Sequence, residues 1–372
     1  MPDKIAAMIL AGGKGTRLKA LTRKVAKPAV SFGAKYRIID FPLSNCANTH
    51  INHVGVLTQY ESSALATYIG SGKNWGLNGV NSFTSVLSPK ETEEGSSWYK
   101  GTADAIYQNI DWLDAIQPEY VLVLSGDHIY ATTYDKMIAA HKAAGADCTV
   151  SVLEVPLEEA SRFGILETSA TGEVTAFKEK PKNPKSNLAS MGIYVFTYKT
   201  LRAALITDAK DETSDHDFGK NIIPMMLASK RKIIAYRYKG YWKDVGTIAS
   251  LHQANMDLLL SSDPDFNLLS LSRGHTIYSE DNTSLPQYIG KRASVKDSIV
   301  NQGAVVLGSI DHCVISSGVV IEEGAYCSRC VIMSGAHIGK GAKVYDAMIG
   351  PEAKIEAGEV VNENPVSIAL IS

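Results

Sequence analysis

The chain has 372 residues, of which 45% are hydrophobic, and its formal net charge at pH 7 is −2. This length exceeds one average hydrophobic core and predicts two globular domains. The nearly balanced charge argues against a nucleic-acid-binding protein, which usually carries a basic face across a whole domain. No apolar run approaches a membrane span or resembles a signal peptide, so we expect a cytoplasmic protein without a membrane partner.

An apolar run that ends in three glycines opens the chain, with the sequence IAAMILAGGKGTRL. The part from Ile5 to Leu10 predicts a parallel strand buried on both faces. Gly12, Gly13 and Gly15 would let the backbone turn sharply and bring N–H groups close to a ligand, while Arg17 adds a guanidinium suited to phosphate oxygens. The spacing fits neither a P-loop nor a dinucleotide fingerprint. Taken alone, such a glycine triplet is as often a plain strand-to-helix turn.

The charges around this loop favour a phosphate ligand. No acidic residue lies between Asp3 and Asp40, whereas cations crowd the segment. A local cationic field in a nearly neutral protein indicates a bound polyanion, and with the glycines it predicts a nucleoside triphosphate site. Lys27 precedes Pro28, which biases it towards extended backbone, and its ammonium could reach the triphosphate. A solvated lysine is the alternative.

Short apolar strands alternate with helical stretches as far as residue 260. This alternation predicts an α/β domain over residues 1–260, with a Rossmann-like, mostly parallel sheet and ligands at the carboxyl ends of its strands. The further predicted strands are Val54–Leu57, Tyr120–Leu124, Cys148–Val155, Ile193–Phe196 and Ile233–Tyr238. The predicted helices are Gly101–Ala115, Tyr134–Ala144 and His216–Leu227.

A Ser, Asp and Asn-rich stretch predicts a linker over residues 261–285, and a different texture follows over 286–372. Apolar residues recur there every six positions, which is typical of a left-handed parallel β-helix with one inward side chain per flat face. We interpret His312, His337 and Cys327 in this domain as residues without chemistry. The predicted inward positions are Val314, Val320, Tyr326, Ile332, Ile338 and Val344 and, after a slip of one, Ile349, Ile355 and Val361.

Five cysteines are spread over the chain. Cys327 and Cys330 have a C-x-x-C spacing, but no second pair or nearby histidine pair completes a zinc set. We therefore expect reduced thiols, most of them packed.

Two aspartates follow predicted strands. Asp127 lies in SGDHIY after Tyr120–Leu124, and Asp244 lies in YWKDVGT after Ile233–Tyr238. Each alone is typical of a turn or cap. In a fold whose strand ends converge, two carboxylates and phosphate oxygens can together hold Mg²⁺, which uses few protein ligands. His128 is interpreted as a structural neighbour, because Mg²⁺ prefers oxygen.

The segment FKEKP places Glu179 and Lys180 before Pro181 at the end of a predicted strand. The lysine could neutralise a sugar phosphate, and the glutamate could accept hydrogen bonds from sugar hydroxyls. By composition alone the segment is a surface turn, so this interpretation depends on the other motifs.

With these motifs in hand, the chain closely resembles the glucose-1-phosphate adenylyltransferases, the ADP-glucose pyrophosphorylases of bacterial glycogen synthesis, and especially those of Gram-positive bacteria. The resemblance covers essentially the whole chain. The glycine loop and EKP indicate only a sugar-phosphate nucleotidyltransferase, whereas RIIDF, WYKGTADA and SMGIYVF are more specific to the adenylyl branch. The resemblance as a whole rests on the segments LAGGKGTRL, AKPAVSFGAKYRIIDFPLSNC, WYKGTADAIYQN, LSGDHIY, EASRFGI, EKP, LASMGIYVF, HDFGKNIIP and GYWKDVGT.

The resemblance implies a role for each matching position. Mg²⁺ would be the cofactor, held by Asp127 and Asp244. The catalytic residues would be Arg17, Lys27, Asp127, Lys180 and Asp244. ATP would contact Leu10, Ala11, Gly12, Gly13, Gly15, Thr16, Arg17, Lys27, Gly101, Thr102 and Asp127. Glucose 1-phosphate would contact Tyr99, Gly164, Glu179, Lys180, Ser190 and Asp217.

The resemblance also implies allosteric control and a homotetramer, or a hetero-oligomer with a related regulatory subunit. Three other interpretations stay open. A nucleotidyltransferase for UTP or dTTP would share the loop, EKP and both aspartates. A hexapeptide acyltransferase would share the β-helix but not need the glycine loop. A regulatory subunit would tend to lose the loop cations or a metal aspartate, which this chain retains.

Overall fold

A computed structural model describes residues 4–92, 95–96, 98–259, 275–281 and 283–372. Most of the predicted linker, residues 261–274 and 282, lies outside the described residues. The predicted domain boundaries therefore stay predictions.

The first part of the chain folds around a mixed sheet in the order β12-β11-β13-β8-β1-β4-β5, with β10 on β13 and β14 on β10. The strands are β1 Ile5–Leu10, β2 Ser31–Phe32, β3 Tyr36–Arg37, β4 His53–Leu57, β5 Phe83–Leu87, β6 Glu91–Thr92, β7 Gly95–Ser96, β8 Tyr120–Ser125, β9 His128–Ile129, β10 Cys148–Glu154, β11 Gly164–Thr168, β12 Val174–Glu179, β13 Leu188–Thr197, β14 Ile233–Arg237 and β15 Lys243–Asp244. The helices are α1 Asp40–Asn48, α2 Ser62–Ile69, α3 Thr102–Tyr107, α4 Ile110–Ile116, α5 Asp135–Ala144, α6 Tyr198–Asp208, α7 Ile223–Ala228 and α8 Ile248–Met256.

Strands β5, β4, β1 and β8 run parallel, as the alternating pattern predicts. Each predicted strand is present, with ends that differ by a few residues. Strand β13 pairs antiparallel with β8, β10 and β11, and it crosses the sheet as one ten-residue strand. Apolar clusters cover both faces of the sheet, which explains why β1 and β8 read as continuous apolar runs.

Two predicted helices are interrupted. The prediction of one helix over 101–115 is wrong, because Asn109 leaves helical geometry (φ −113°, ψ 20°) between α3 and α4. The Asn109 side chain instead donates hydrogen bonds to the Tyr99 hydroxyl at 3.0 Å and to the Ala105 carbonyl at 2.9 Å. In the predicted helix over 216–227, Asp217 caps a π-helical turn, Phe218–Ile222, and α7 begins only after it.

The carboxyl-terminal part forms three parallel five-stranded sheets, which confirms the predicted β-helix. Paired residues of successive coils are separated by 15 residues, as in Ile299 with Val314, by 17 residues, as in Val331 with Met348, or by 22 residues in the last coil, as in Ala347 with Ala369. The strands are β16 Tyr288–Ile289, β17 Ser294–Lys296, β18 Ile299–Val300, β19 Val305–Val306, β20 Ser309–Asp311, β21 Val314–Ile315, β22 Val320–Ile321, β23 Tyr326–Ser328, β24 Val331–Ile332, β25 His337–Ile338, β26 Lys343–Tyr345, β27 Ala347–Ile349, β28 Lys354–Ile355, β29 Val360–Val361 and β30 Ala369–Ile371.

The predicted inward register is wrong by one residue in its first third. The β-helix interior contains Ile315, Ile321 and Cys327 in place of Val314, Val320 and Tyr326. Inward positions advance by six residues twice and then by five, so a slip precedes Ile332 as well as Ile349. The first slip was missed because apolar residues occupy both alternating faces there. The six later predicted positions, from Ile332 to Val361, are inward as expected.

One outer face of the β-helix packs against the amino-terminal α/β domain. Its outward ladder joins Val314, Val331 and Met348 in register, and these side chains share one apolar cluster with Leu18 and Phe32. Polar contacts tie the domains together as well. The His252 Nε2 atom donates to the Arg329 carbonyl at 2.7 Å, and the Asn301 amide donates to the Ala34 carbonyl at 3.0 Å. The apolar packing against the other domain explains why Val314 is apolar although it points outward.

All five cysteines are buried and free, as expected from their spacing. Among the described residues, no helix combines the length and apolar character that crossing a bilayer requires.

Candidate active site

The site lies where three parallel strands end. Leu10 of β1 pairs with Leu57 of β4 on one side and Ser125 of β8 on the other, so the three carboxyl ends share one edge. A cavity of about 730 Å³ opens at this edge. Such a crevice is the expected ligand position in an open α/β sheet.

The glycine loop forms one wall of the cavity. Leu10, Gly12, Gly13 and Arg17 line it. Gly15 does not, but its φ is +60°, and a Cβ there would lie 2.9 Å from the Lys27 Cβ. This glycine is therefore required both for the left-handed turn and for the close approach of the lysine stem.

Besides Gly15, two predicted ATP contacts lie away from the main cavity. Ala11 is fully buried, and its N–H donates to the Leu57 carbonyl at 2.8 Å, so it joins the loop to β4. Thr16 lines a neighbouring cavity of about 620 Å³ together with Lys14, Lys19 and Arg23. Contact of either side chain with ATP stays a prediction.

A buried lysine lies between the two predicted metal aspartates. The Lys27 ammonium is 2.8 Å from Asp127 Oδ2 and 3.2 Å from Asp244 Oδ1. Strands β9 and β15 pair antiparallel, with Asp244 opposite His128, which brings the second carboxylate to the first. Ser125 donates a further hydrogen bond to Asp127 Oδ1.

These contacts decide the charges of the group. Burial opposes the charged form of Lys27, but Asp127 and Asp244 outweigh it and raise the lysine pKa. Burial likewise opposes ionisation of Asp127, yet the Lys27 charge and hydrogen bonds hold the pKa of this carboxyl well below its ordinary value. Burial lowers the pKa of His128. At neutral pH the group therefore contains an ammonium, an ionised Asp127 and a neutral imidazole.

The donor set fits a divalent cation. Oxygens of Asp127 and Asp244 already converge on one positive charge, and ligand atoms of Asp127, His128 and Asp244 lie within 4.8 Å of one another. Few carboxylates, with phosphate oxygens completing the shell, suit Mg²⁺. A cation held by both aspartates would require the Lys27 ammonium to move from between them. The His128 ring packs edge-on against Trp242 at 4.9 Å, in keeping with a structural role.

The opposite wall carries the sugar-site candidates. Glu179 pairs with Gly164 across β11 and β12. A Cβ on Gly164 or Gly219 would lie 2.8 Å or 2.5 Å from Glu179 Oε2, so two glycines make room for this carboxylate. Burial raises the pKa of Glu179. The Lys180 ammonium is 3.4 Å from Glu179 Oε1, and its side chain lines the cavity and is 66% exposed.

Asp217 lines the cavity but already uses both carboxylate oxygens. Its Oδ1 accepts from the N–H groups of Gly219 and Lys220 at 2.9 and 3.1 Å. Its Oδ2 accepts from the Thr102 hydroxyl at 2.9 Å. Asp217 therefore connects the turn before α7 to the start of α3, and its contact with the sugar stays a prediction.

The remaining predicted residues, Tyr99, Gly101 and Ser190, also line the cavity. Sequence reasoning missed several other lining residues. Gln59 follows β4 as Asp127 follows β8, so the strand-end rule could have found it, whereas no spacing marks the rest. They are Pro28, Leu57, Ala105, Ser125, Arg162, Phe163, Met191, Gly192, Tyr194, Phe218, Gly219 and Trp242.

Two family models and two named relatives match most of this chain. Residues 6–261 match the family described as Nucleotidyl transferase, and residues 285–367 match the GlmU-like C-terminal hexapeptide family. The chain is 56% identical to the glucose-1-phosphate adenylyltransferase of Halalkalibacterium halodurans over 321 residues, which are 86% of this chain and 83% of that protein. It is 49% identical to the Bacillus mycoides protein of the same name over 372 residues, 100% of this chain and 98% of that protein. The chain therefore belongs to the glucose-1-phosphate adenylyltransferase family of nucleotidyl transferases.

Proposed function

We propose that this protein transfers the adenylyl group of ATP to glucose 1-phosphate, giving ADP-glucose and pyrophosphate for glycogen synthesis. One observation supports this most strongly. The glycine loop and the Glu179–Lys180 pair form opposite walls of one cavity, and Lys27, Asp127 and Asp244 meet between them. This arrangement supports a triphosphate bound on one side, and a sugar phosphate on the other side, of a site that could hold a cation.

The reaction needs no covalent intermediate. A phosphate oxygen of glucose 1-phosphate attacks the α-phosphorus of ATP in line and forms the new P–O bond. The bond from the α-phosphorus to the bridging oxygen breaks, and pyrophosphate leaves with the electron pair. An ionised phosphate is already a nucleophile, so catalysis depends on alignment and charge neutralisation.

The residues of the cavity then have separate tasks. Arg17 and Lys27 offset charge on the leaving pyrophosphate, and Lys180 orients the sugar phosphate. Asp127 and Asp244 would hold Mg²⁺, which supplies positive charge at the reacting phosphates when bound. Lys27 would then turn from the carboxylates towards the triphosphate.

The same cations and carboxylates argue against a regulatory subunit without activity. Arg17, Lys27, Asp127, Lys180 and Asp244 all reach one cavity. The acyltransferase alternative gives no role to the glycine loop, to Lys27 or to the two aspartates that line the cavity.

We also propose a tetramer in which the β-helix contributes contacts between subunits. Its first coil exposes Leu285, Tyr288, Ile289 and Val295 beside a strand edge. Apolar residues beside an open edge favour a covering partner. Light scattering on the purified chain would test this, and a monomer at micromolar concentration would contradict it.

The activity test uses the purified chain alone. With Mg²⁺, ATP and glucose 1-phosphate it should release pyrophosphate, and replacing ATP by UTP or dTTP should reduce the rate strongly. Faster reaction with UTP or dTTP would favour another nucleotidyltransferase. Activity that appears only after a related subunit is added would favour the regulatory interpretation. An Asp127→Asn sample serves as the negative control for contaminating activity.

A further inference from the structure

A buried histidine and aspartate lie directly behind the cavity. His216 Nδ1 donates to Asp208 Oδ2 at 2.8 Å, and both side chains are less than a tenth exposed. Neither residue lines the cavity. Any effect of this pair on the reaction must therefore pass through residues that do.

The loop between the two residues is closed by hydrogen bonds. The Ser214 hydroxyl donates to Asp208 Oδ1 at 2.7 Å, and the His216 N–H donates to the Ser214 hydroxyl at 2.9 Å. His216 has a φ of +50°, a left-handed conformation that is uncommon for a non-glycine residue and that local contacts must support. The ring bond to Asp208 and the backbone bond to Ser214 supply that constraint.

The constrained backbone of His216 supports the first turn of α3. The His216 carbonyl accepts the N–H of Ala103 at 2.8 Å and of Asp104 at 3.3 Å. A Cβ on Gly101 would lie 2.4 Å from the same carbonyl oxygen, so the two backbones are in close contact. A shift of His216 would therefore move Gly101 and Thr102, which line the nucleotide side of the cavity.

The next residues reach the sugar side. The Thr102 hydroxyl donates to Asp217 at 2.9 Å and accepts the N–H of Phe218 at 3.0 Å. Asp217 in turn holds Gly219, which packs against Glu179. One continuous set of contacts thus runs from His216 to both walls.

We propose that Asp208 and His216 are positioning residues that hold the nucleotide and sugar-phosphate walls of the cavity in one geometry. Asp208 orients the imidazole, and His216 holds the carbonyl on which α3 begins. The inference rests on the proposed adenylyl transfer for its assay. Misplacing reacting groups by about 1 Å can cost about 100-fold in rate. A small shift of the His216 carbonyl, which supports the start of α3, should therefore give a measurable loss of rate.

The test compares three variants of the pair. In His216→Asn the amide nitrogen can replace Nδ1 as the donor to Asp208, whereas His216→Leu has no donor. We expect His216→Leu to lower kcat/KM at least tenfold and to raise KM for glucose 1-phosphate. We expect kcat/KM of His216→Asn to stay within about threefold of wild type, because the retained donor keeps the His216 carbonyl in place. Asp208→Asn, which retains an acceptor oxygen, should lie between them and serves if His216→Leu does not fold.

The matched control is His141→Leu. His141 is equally buried and bonds to Thr149 and Thr197 away from the cavity. It should lower the Tm without changing kcat/KM per folded molecule. If His216→Leu behaves like His141→Leu, or if His216→Asn is as impaired as His216→Leu, the positioning role is wrong.

Failure of the proposed function is a separate result. It would appear as wild type that does not join ATP to glucose 1-phosphate. The variants are then compared with whichever nucleotide and sugar phosphate wild type does join. Unequal kcat/KM in the predicted order would still support positioning, and equal values would overturn it.

Discussion

In the cavity, Lys27 contacts carboxylates 100 and 217 positions further along the chain, whereas in the β-helix each strand pairs with its neighbour one coil away. The cavity therefore forms only when distant segments close on one another. The β-helix can be built one coil at a time, because its contacts are between adjacent repeats. The two regions should respond differently to single substitutions.

The regions also differ in what they bury. Among the described residues, the fully buried polar and charged side chains lie in the catalytic domain, with Ser316 as the exception in the β-helix. Buried charge serves chemistry but makes stability depend on pH, whereas an apolar stack depends on volume and shape. Four substitutions, each with a matched control, test this contrast.

Asp127→Asn should have the largest effect, a loss of roughly 1000-fold in kcat, because the amide keeps the shape but loses the charge that would hold Mg²⁺. The matched control is Glu323→Gln on the β-helix, whose carboxylate also pairs with one cation, Arg292. It should leave kcat unchanged. Pyrophosphate release under saturating Mg²⁺ checks both variants, and near-normal activity of Asp127→Asn would remove it from the metal site.

Ile321→Ala should destabilise the β-helix by about 2–5 kcal/mol, because it leaves a cavity in the interior. Val320→Ala, one residue earlier and pointing outward, should cost only about 0.5 kcal/mol. Urea unfolding followed by far-UV circular dichroism measures the difference. All four tryptophans lie before residue 260, so their fluorescence reports the catalytic domain separately. Equal costs for the two variants would contradict the corrected register.

Asp40 should make the catalytic domain less stable as the pH rises. Burial raises its pKa from 3.8 to about 7, although the Arg37 N–H and the Tyr68 hydroxyl donate to it. The folded form then holds the proton more tightly than the unfolded chain. Between about pH 4 and pH 7 this group lowers stability by at most about 1.4 kcal/mol per pH unit, and above that range its contribution is constant.

Asp40→Asn, which stays neutral, should remove this part of the pH dependence. Tryptophan fluorescence during urea unfolding at pH 5 and pH 7.5 measures the stability of the catalytic domain. The unfolding of the β-helix, followed by far-UV circular dichroism at the same two pH values, is the internal control. An identical pH dependence in the variant and in wild type would show that Asp40 does not titrate in this range.

Lys180→Ala should raise the KM for glucose 1-phosphate about tenfold to about 100-fold and leave the KM for ATP nearly unchanged, because one charge-assisted contact is worth about 1.5–3 kcal/mol. Lys182→Ala, an exposed lysine two residues later, is the control and should change neither value. Equal weakening of both substrates by Lys180→Ala would overturn its assignment to the sugar phosphate.

Local sequence pattern was sufficient to predict several parts of this protein. The apolar run Ile5–Leu10 appears as β1 with those bounds. The recurrence of apolar residues every six positions correctly predicted the β-helix. Motif resemblance also named the residues that meet in the cavity, including Arg17, Lys180 and Asp244. Each of these signals lies within a few neighbouring residues, so no knowledge of distant contacts is needed.

How those residues meet depends on long-range contacts that local pattern does not reveal. The position of the Lys27 ammonium between two carboxylates, the use of both Asp217 oxygens within the protein, and the support of α3 by His216 join segments far apart in sequence. Val314 also depends on a distant contact. Its apolar side chain was predicted to point into the β-helix, but it points outward and packs on the other domain. A residue's burial depends on what covers it, and that covering surface can come from any part of the chain.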